Sequence, residues 1–297
     1  MKKVFVTGSN GLLGQALIRH FSQIIPTSGC DLQPASYLGD RYLYNYFKVD
    51  ITKRNELEPV LSAERPDVIF NTAAYTDVDR SETEKELCWL CNVHGLEVLI
   101  DSIRSFSPLL VQISTDYVFD GKSAPYREND PAQPLGYYGH TKYMAERLVR
   151  SSKLEYIIAR SMILYGHGLR IRPNFALWVI NKLKAGESIQ VVTDQIGNPT
   201  FIDELAAGLD RLVQNEEYGV FHIAGQEVCS RFDFACRIAD VFELDKSLIR
   251  PVITPELKQQ APRPMNSAFT LDKLVNTLDW LPVRINESLL ALKSQLN

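Results

Sequence analysis

The chain has 297 residues, 32 Lys and Arg against 36 Asp and Glu, a formal net charge of −4, and 45% hydrophobic against 23% charged residues. This is ordinary globular composition, long enough for one large domain and a smaller one, and the mildly acidic balance argues against a nucleic-acid or anionic-membrane partner. No apolar run nears the ~20 residues that cross a bilayer. Gly8-Ser9-Asn10-Gly11 interrupts the first apolar stretch too early for a secretory signal, and five cysteines suit a reducing compartment. A cytoplasmic location is expected.

Residues 3–7 are a short β-branched run ending at glycine, and 12–21 place Leu13, Leu17, Ile18 and Phe21 at helical spacing. A second strand is expected at 24–30, made irregular by Pro26 and Gly29. Buried strands are expected at 43–49, 68–71 and 109–114, with helices at 54–63 and 82–105 between them. Cys88 and Cys91 fall within the last of these helices, with no second ligand pair nearby, and read as packing residues. A helix from Gly136 to about Arg150 and a strand at 155–159 continue the alternation. Such alternation is that of a parallel sheet covered by helices on both faces.

Beyond 165 the pattern loosens. Helices are expected at 173–185, 204–213, 231–242 and 285–295, with extended segments at 189–192 and 220–223. The proline-rich stretch 251–264 reads as an ordered crossing loop. The expected fold class is therefore α/β: a Rossmann-type doubly wound parallel sheet with a smaller, interleaved C-terminal substrate domain. The NAD(P)-binding domain takes 1–160 and parts of about 190–245. The smaller one takes about 161–190 and 246–297.

Gly8, Gly11 and Gly14 form G-x-x-G-x-x-G between the first strand and the first helix. A tight turn, close backbone approach to a pyrophosphate and hard packing of helix on strand all require glycine there. Free N–H groups at the helix start then face the anion. Asp31, at the end of the expected second strand, suits hydrogen bonding to adenosine ribose hydroxyls and repels a 2′-phosphate. This tilts the cofactor toward NAD(H) over NADP(H). Asp50 and Ile51, after the third strand, are placed to flank the adenine.

Tyr138 and Lys142 make a YxxxK at the start of a helix, where residues four apart are neighbours. A second match, Tyr44 to Lys48, falls in a strand, which puts the two side chains ~13 Å apart. A phenol is a poor acid–base catalyst at neutral pH, and an adjacent ammonium favours its ionised form. The expectation is that Lys142 lowers the pKa of Tyr138. Thr115, ending the fifth strand, would add a hydroxyl to the reacting oxygen.

With these residues assembled, the chain resembles the extended short-chain dehydrogenase/reductase superfamily and, within it, the dTDP-4-dehydrorhamnose reductase family. The resemblance rests on residues 6–14, 71–79, 114–121 and 138–142, and later on 194–200, 261–264 and Ser267. It implies Tyr138 as proton donor, Lys142 as its partner, and Thr115 as the hydroxyl positioning a C4 carbonyl. It also implies a cofactor set of Gly8, Gly11, Leu12, Leu13, Gly14, Asp31, Asp50, Ile51, Ala73, Ala74, Tyr138 and Lys142. The substrate set is Asp116, Tyr75, Tyr117, Ile163 and Asn174. The reaction implied is hydride transfer from NAD(P)H to a dTDP-linked 4-dehydro-6-deoxy sugar. The partner expected is the nucleotide sugar, with a homodimer as the candidate assembly.

Tyr117 stands where 4,6-dehydratases of the superfamily carry an acid–base Glu or Lys, which argues against dehydration. Two departures from the reductases are evident. Ile163 takes the place of a Trp that packs on the sugar. Gln15-Ala16 replaces an acidic metal ligand after the glycine motif, so no metal is expected. The alternatives are a nucleotide-sugar epimerase and a non-catalytic NAD(P)-binding regulatory subunit resembling methionine adenosyltransferase β, which has a loop like Ile163-Leu164-Tyr165-Gly166.

Overall fold

The computed structural model describes residues 2–296. From the N-terminus come β1 (Val4–Thr7), α1 (Leu12–Phe21), β2 (Thr27–Asp31), β3 (Asn45–Lys48), α2 (Arg54–Glu64) and β4 (Val68–Asn71). The second strand starts later than the sequence suggests. The N–H groups of Ile24 and Ile25 both turn back to the carbonyl of Phe21, at 2.9 Å each, and Pro26 offers no ladder N–H. Asp31 remains the last residue of that strand.

Next come α3 (Lys85–Trp89), a π-helical turn at Leu90–His94, and α4 (Gly95–Ile103). The single helix expected at 82–105 is thus interrupted. Asn92, in the widened turn, is buried and must be satisfied. Its side-chain amide donates to the Tyr75 carbonyl (3.1 Å) and the Thr141 hydroxyl (3.0 Å), while its oxygen accepts from the Tyr75 N–H (2.8 Å).

Then follow β5 (Leu109–Thr115), α5 (Tyr137–Ser151), β6 (Tyr156–Ser161), β7 (Leu164–Tyr165), α6 (Phe175–Lys184) and β8 (Ile189–Val192). The chain continues through β9 (Ile196–Gly197), β10 (Thr200–Phe201), α7 (Ile202–Gln214), β11 (Gly219–His222), β12 (Cys229–Ser230) and α8 (Arg231–Phe242). It ends with β13 (Ile249–Val252), α9 (Asp272–Leu278) and α10 (Ile285–Leu296). Neither β13 nor α9 is expected from sequence: Pro251 masks the strand, and seven residues are too few to show a helical period.

Seven strands form one parallel sheet in the order β11-β6-β5-β4-β1-β2-β3. The order reverses between β1 and β4, the switch point where open α/β sheets bind ligands beyond their strand ends. One face is covered by α1, α7 and α9 through Leu13, Leu17, Phe21, Leu205, Leu209 and Leu274. The other is covered by α2, α4 and α5 through Leu57, Leu61, Leu99, Ala145 and Val149. A third apolar core joins α6, α8 and α10 to β8 and β13, centred on Val179, Phe234, Ile238, Ile249 and Leu289. Of the 190–245 region, α7 and β11 pack with the sheet, and α8 packs with this third core.

Candidate active site

The strand ends open on a groove. Gly11 is the N-cap of α1 and brings no side chain to the first N–H groups of that helix. Gly14 is obligatory: a Cβ there would sit 2.2 Å from the Gly8 carbonyl oxygen, so α1 packs on the turn only without one. Gln15 ties the turn to a later loop. Its amide donates to the carbonyls of Asn10 (2.7 Å) and Leu169 (2.9 Å) and accepts from the Leu169 N–H (2.8 Å).

Two cavities share Gly11, Thr72 and Ala74 and so form one continuous cleft. The first, of about 240 Å³, is walled by Gly8, Asp31, Asp50, Ile51 and Ala73 among others. The Asp31 carboxylate accepts from the N–H groups of Asn10 (3.1 Å) and Gln33 (3.3 Å). Asp50 spends one oxygen on Thr52, at 3.0 Å from its N–H and 2.7 Å from its hydroxyl. Cys91, expected only to pack, is also in this wall. Cys88 lies buried behind it against Thr141 and Asn92.

The second cavity, of about 460 Å³, brings together Leu12, Leu13, Gly14, Thr115, Asp116, Tyr117, Tyr138, Lys142 and Ile163. The helix carrying Tyr138 and Lys142 is pressed onto the loop after β5. A Cβ on Gly139 would lie 2.2 Å from the Tyr117 carbonyl oxygen, so the glycine after Tyr138 permits that contact. Tyr117 meets Tyr138 edge to face, with ring centroids 5.8 Å apart. The Thr115 hydroxyl donates to Asp116 (3.0 Å) and accepts from the Tyr117 N–H (3.2 Å). Asp116 is buried and takes a second hydrogen bond from Ser267 (2.6 Å). Burial pushes its carboxyl up, against the pull of those two hydroxyls.

Burial, then the neighbouring Asp116 and Tyr117, push the Tyr138 phenol upward, and the Thr115 hydroxyl pulls the other way. The expectation that Lys142 would lower it is not met: loss of water in the cleft is the largest influence, and the ammonium is not among the leading ones. Lys142 itself is pushed down to about 8 by burial, with Glu146 opposing. Its ammonium has no hydrogen-bond partner among the described residues. One helical turn on, Glu146 is locked to Arg160 at 2.8 and 2.7 Å and accepts from Ser114 at 2.6 Å. The pair is fully buried and fastens α5 to β6 beneath the cleft.

Two expected substrate residues do not line this cavity. The Tyr75 hydroxyl turns to Glu84 at 2.7 Å. Asn174 caps α6, accepting from the Leu177 N–H (3.2 Å) while donating to the Gly166 carbonyl (2.8 Å). Asparagine at such a position satisfies orphan helix N–H groups. Ile163 does line the cavity, with φ at +48°, a region that β-branched residues rarely enter.

Sequence reasoning missed Ser161 and Arg231, both in the wall. Arg231, the first residue of α8, stacks its guanidinium over Phe175 at 5.4 Å and makes no side-chain hydrogen bond among the described residues. It comes from a region without a motif, and only the packing of α8 against α6 brings it here. The 261–264 segment is anchored through Arg263, which grips Asp79 at 2.9 and 2.8 Å.

Comparison with known proteins gives this geometry a family. Residues 1–295 match the family described as RmlD substrate binding domain. This chain belongs to that family. It is 31% identical over 275 residues to the spore coat polysaccharide biosynthesis protein SpsK of Bacillus subtilis (strain 168), covering 91% of this chain and 89% of the relative. To dTDP-4-dehydrorhamnose reductase of Aggregatibacter actinomycetemcomitans it is 30% identical over 300 residues, covering 94% and 96%. The crystal structure of dTDP-4-dehydrorhamnose reductase from Bacillus anthracis in complex with NADP superposes with a TM-score of 0.86. That structure is 31% identical in sequence, with 99% of each chain covered.

Proposed function

We propose that the chain reduces the C4 keto group of a dTDP-linked 4-dehydro-6-deoxy sugar, converting dTDP-4-dehydrorhamnose to dTDP-L-rhamnose with NAD(P)H. The observation that carries this reading is a single cleft onto which the uncapped start of α1 opens together with Thr115, Tyr138 and Lys142. The residues fit a dinucleotide. The diphosphate would lie on the N–H groups at Leu12 and Leu13, the adenosine between Asp31 and Ile51, and the far ribose on Lys142. Asp31 favours NADH, whereas the Bacillus anthracis relative was crystallised with NADP. A homodimer and the division into a nucleotide domain and a smaller substrate domain remain part of this proposal.

The bound reduced nicotinamide supplies the hydride. Tyr138 holds the proton for the carbonyl oxygen. Its upward-shifted phenol stays protonated at neutral pH, the state a proton donor needs before the reaction. Lys142, with no hydrogen-bond partner among the described residues, supplies positive charge next to the phenolate that forms. Thr115 can donate to the carbonyl oxygen only by releasing Asp116. A protonated Asp116 would donate to Thr115 instead and free that hydrogen. Arg231 supplies the positive charge for the substrate diphosphate, because a guanidinium in a cavity wall without a protein acceptor calls for an anion.

The test is oxidation of NADH and of NADPH by the purified protein with dTDP-4-dehydro-β-L-rhamnose, with the sugar product identified. Rapid oxidation yielding dTDP-L-rhamnose is expected. Cofactor binding without oxidation would overturn the reading in favour of a regulatory role or another keto-sugar. A new sugar isomer without net oxidation would make the protein an epimerase.

A further inference from the structure

Ser161 is the last residue of β6 and pairs in register with Thr115 at the end of β5. The residue is only 4% exposed, its hydroxyl has no hydrogen-bond partner among the described residues, and it forms part of the wall around Tyr138 and Lys142. Buried hydroxyls are almost always paired, so an unpaired one on a residue of a cavity wall marks a place where a ligand completes the bonding. Neighbouring polar groups offer no relief. Ser114 and Arg160 are committed to Glu146, Thr115 to Asp116, and the Met162 sulfur to the Asn198 N–H at 3.1 Å. Among the described residues, Ser161 is the one fully buried hydroxyl in this wall without a partner.

Strand order says which ligand atom arrives there. The anion-binding start of α1 lies over β1, and Asp31 with Asp50 lies on the β2–β3 side. A dinucleotide held at β1 therefore sends its other half across β4 and β5 toward β6. With ~4.8 Å between strands, β6 is ~14 Å from β1. Past the ribose at Lys142, the outermost polar group of that half is the nicotinamide carboxamide. We infer that the Ser161 hydroxyl binds this carboxamide and so fixes which face of the nicotinamide ring looks toward Thr115 and Tyr138. In this contact the serine oxygen accepts from the amide N–H, the one bond that a methyl ketone in place of the carboxamide cannot make. Ser161 is thus a positioning residue, and the inference rests on the nicotinamide site proposed above.

The test is Ser161→Ala in the full-length protein, with NADH, its reduced 3-acetylpyridine analogue and ADP-ribose as ligands. The analogue replaces the carboxamide by a methyl ketone, and ADP-ribose lacks the nicotinamide. In the native protein NADH is expected to bind about tenfold more tightly than the analogue, the effect of one good hydrogen bond. In Ser161→Ala that preference should shrink several-fold, with ADP-ribose affinity unchanged and Ser161→Thr restoring it. An undiminished preference, or an equal loss for ADP-ribose, overturns the inference. Weaker sugar binding with unchanged NADH binding also overturns it, because the hydroxyl then serves the substrate. Failure of the native protein to bind any of the three would instead sink the nicotinamide site itself.

Discussion

Lys142→Met separates what the lysine does for the reaction from what it does to the fold. Burial pushes its ammonium from an ordinary value of 10.5 down to about 8. At ~1.36 kcal/mol per pH unit, keeping that charge in the cleft costs about 3 kcal/mol at pH 7. Methionine keeps most of the apolar stem and removes the charge, so the variant should be more stable by up to that amount. For a chain of this size that is about 5–10 °C in melting temperature. The gap should also depend on pH in a defined direction. Between about 8 and 10.5 the unfolded lysine binds a proton that the folded one has lost, so stability of the native protein rises with pH. The variant lacks that rise, and the two melting curves should converge near pH 10.5. Thermal unfolding from pH 7 to 10.5 reads the gap, and oxidation of NADH and NADPH with dTDP-4-dehydro-β-L-rhamnose should fall about 100-fold or more at every pH. A variant no more stable at pH 7, or a gap that ignores pH, would refute the claim that Lys142 is held charged against its solvation preference.

Arg231→Ala should raise the KM for the nucleotide sugar roughly 10-fold to 100-fold and leave the KM for cofactor alone, as expected for one lost charge-assisted contact. An unchanged sugar KM would remove Arg231 from the substrate site. Asp31→Ala should shift the ratio of NADPH to NADH efficiency toward NADPH by removing repulsion of the 2′-phosphate, as measured by initial rates with each cofactor. Glu146→Gln should cost about 3–5 kcal/mol in urea denaturation, because Arg160 is left buried without its carboxylate. His222 is fully buried, and burial followed by nearby Arg160 holds its pKa well below 6.5. The unfolded chain therefore takes up the proton first, and stability should fall as pH drops below 6.5, a loss that His222→Phe should blunt in acid titration of the fold.

Much of the framework was legible in the sequence because it depends on local chemistry. The helix at Leu12–Phe21 and the strand at Val68–Asn71 sit where their patterns put them. The glycine motif and the YxxxK also land on one cleft, since each encodes a backbone or helix-neighbour geometry that any fold must respect. Features that depend on tertiary context were not legible. Pro26 delays the second strand because the end of α1 captures the preceding N–H groups. The π-helical turn at Leu90–His94 serves Asn92, whose partners Tyr75 and Thr141 are 17 and 49 residues away in the chain.

The same distinction explains why the sequence listed Asn174 and Tyr75 at the site and overlooked Ser161 and Arg231. Residue type shows that a polar group exists, and only the folded chain shows whether its bonding is already satisfied. Asn174 spends its amide oxygen on the cap of α6 and its amide nitrogen on the Gly166 carbonyl, and Tyr75 is held by Glu84. Glu146, Arg160, Asp79 and Arg263 are likewise occupied with one another. The residues of the cleft wall whose polar groups have no hydrogen-bond partner among the described residues are a different set: Lys142, Ser161 and Arg231. An unsatisfied buried polar group is costly, and Ser161 is one in this wall, so a ligand that pairs its hydroxyl restores stability lost there. The chemistry of the three differs in step with the ligand proposed. A cation meets the ribose and the forming phenolate, a hydroxyl meets an amide, and a forked guanidinium meets a diphosphate. On the proposed reading the three would meet the far ribose, the carboxamide and the sugar-linked diphosphate, the groups that hydride transfer brings into one cleft.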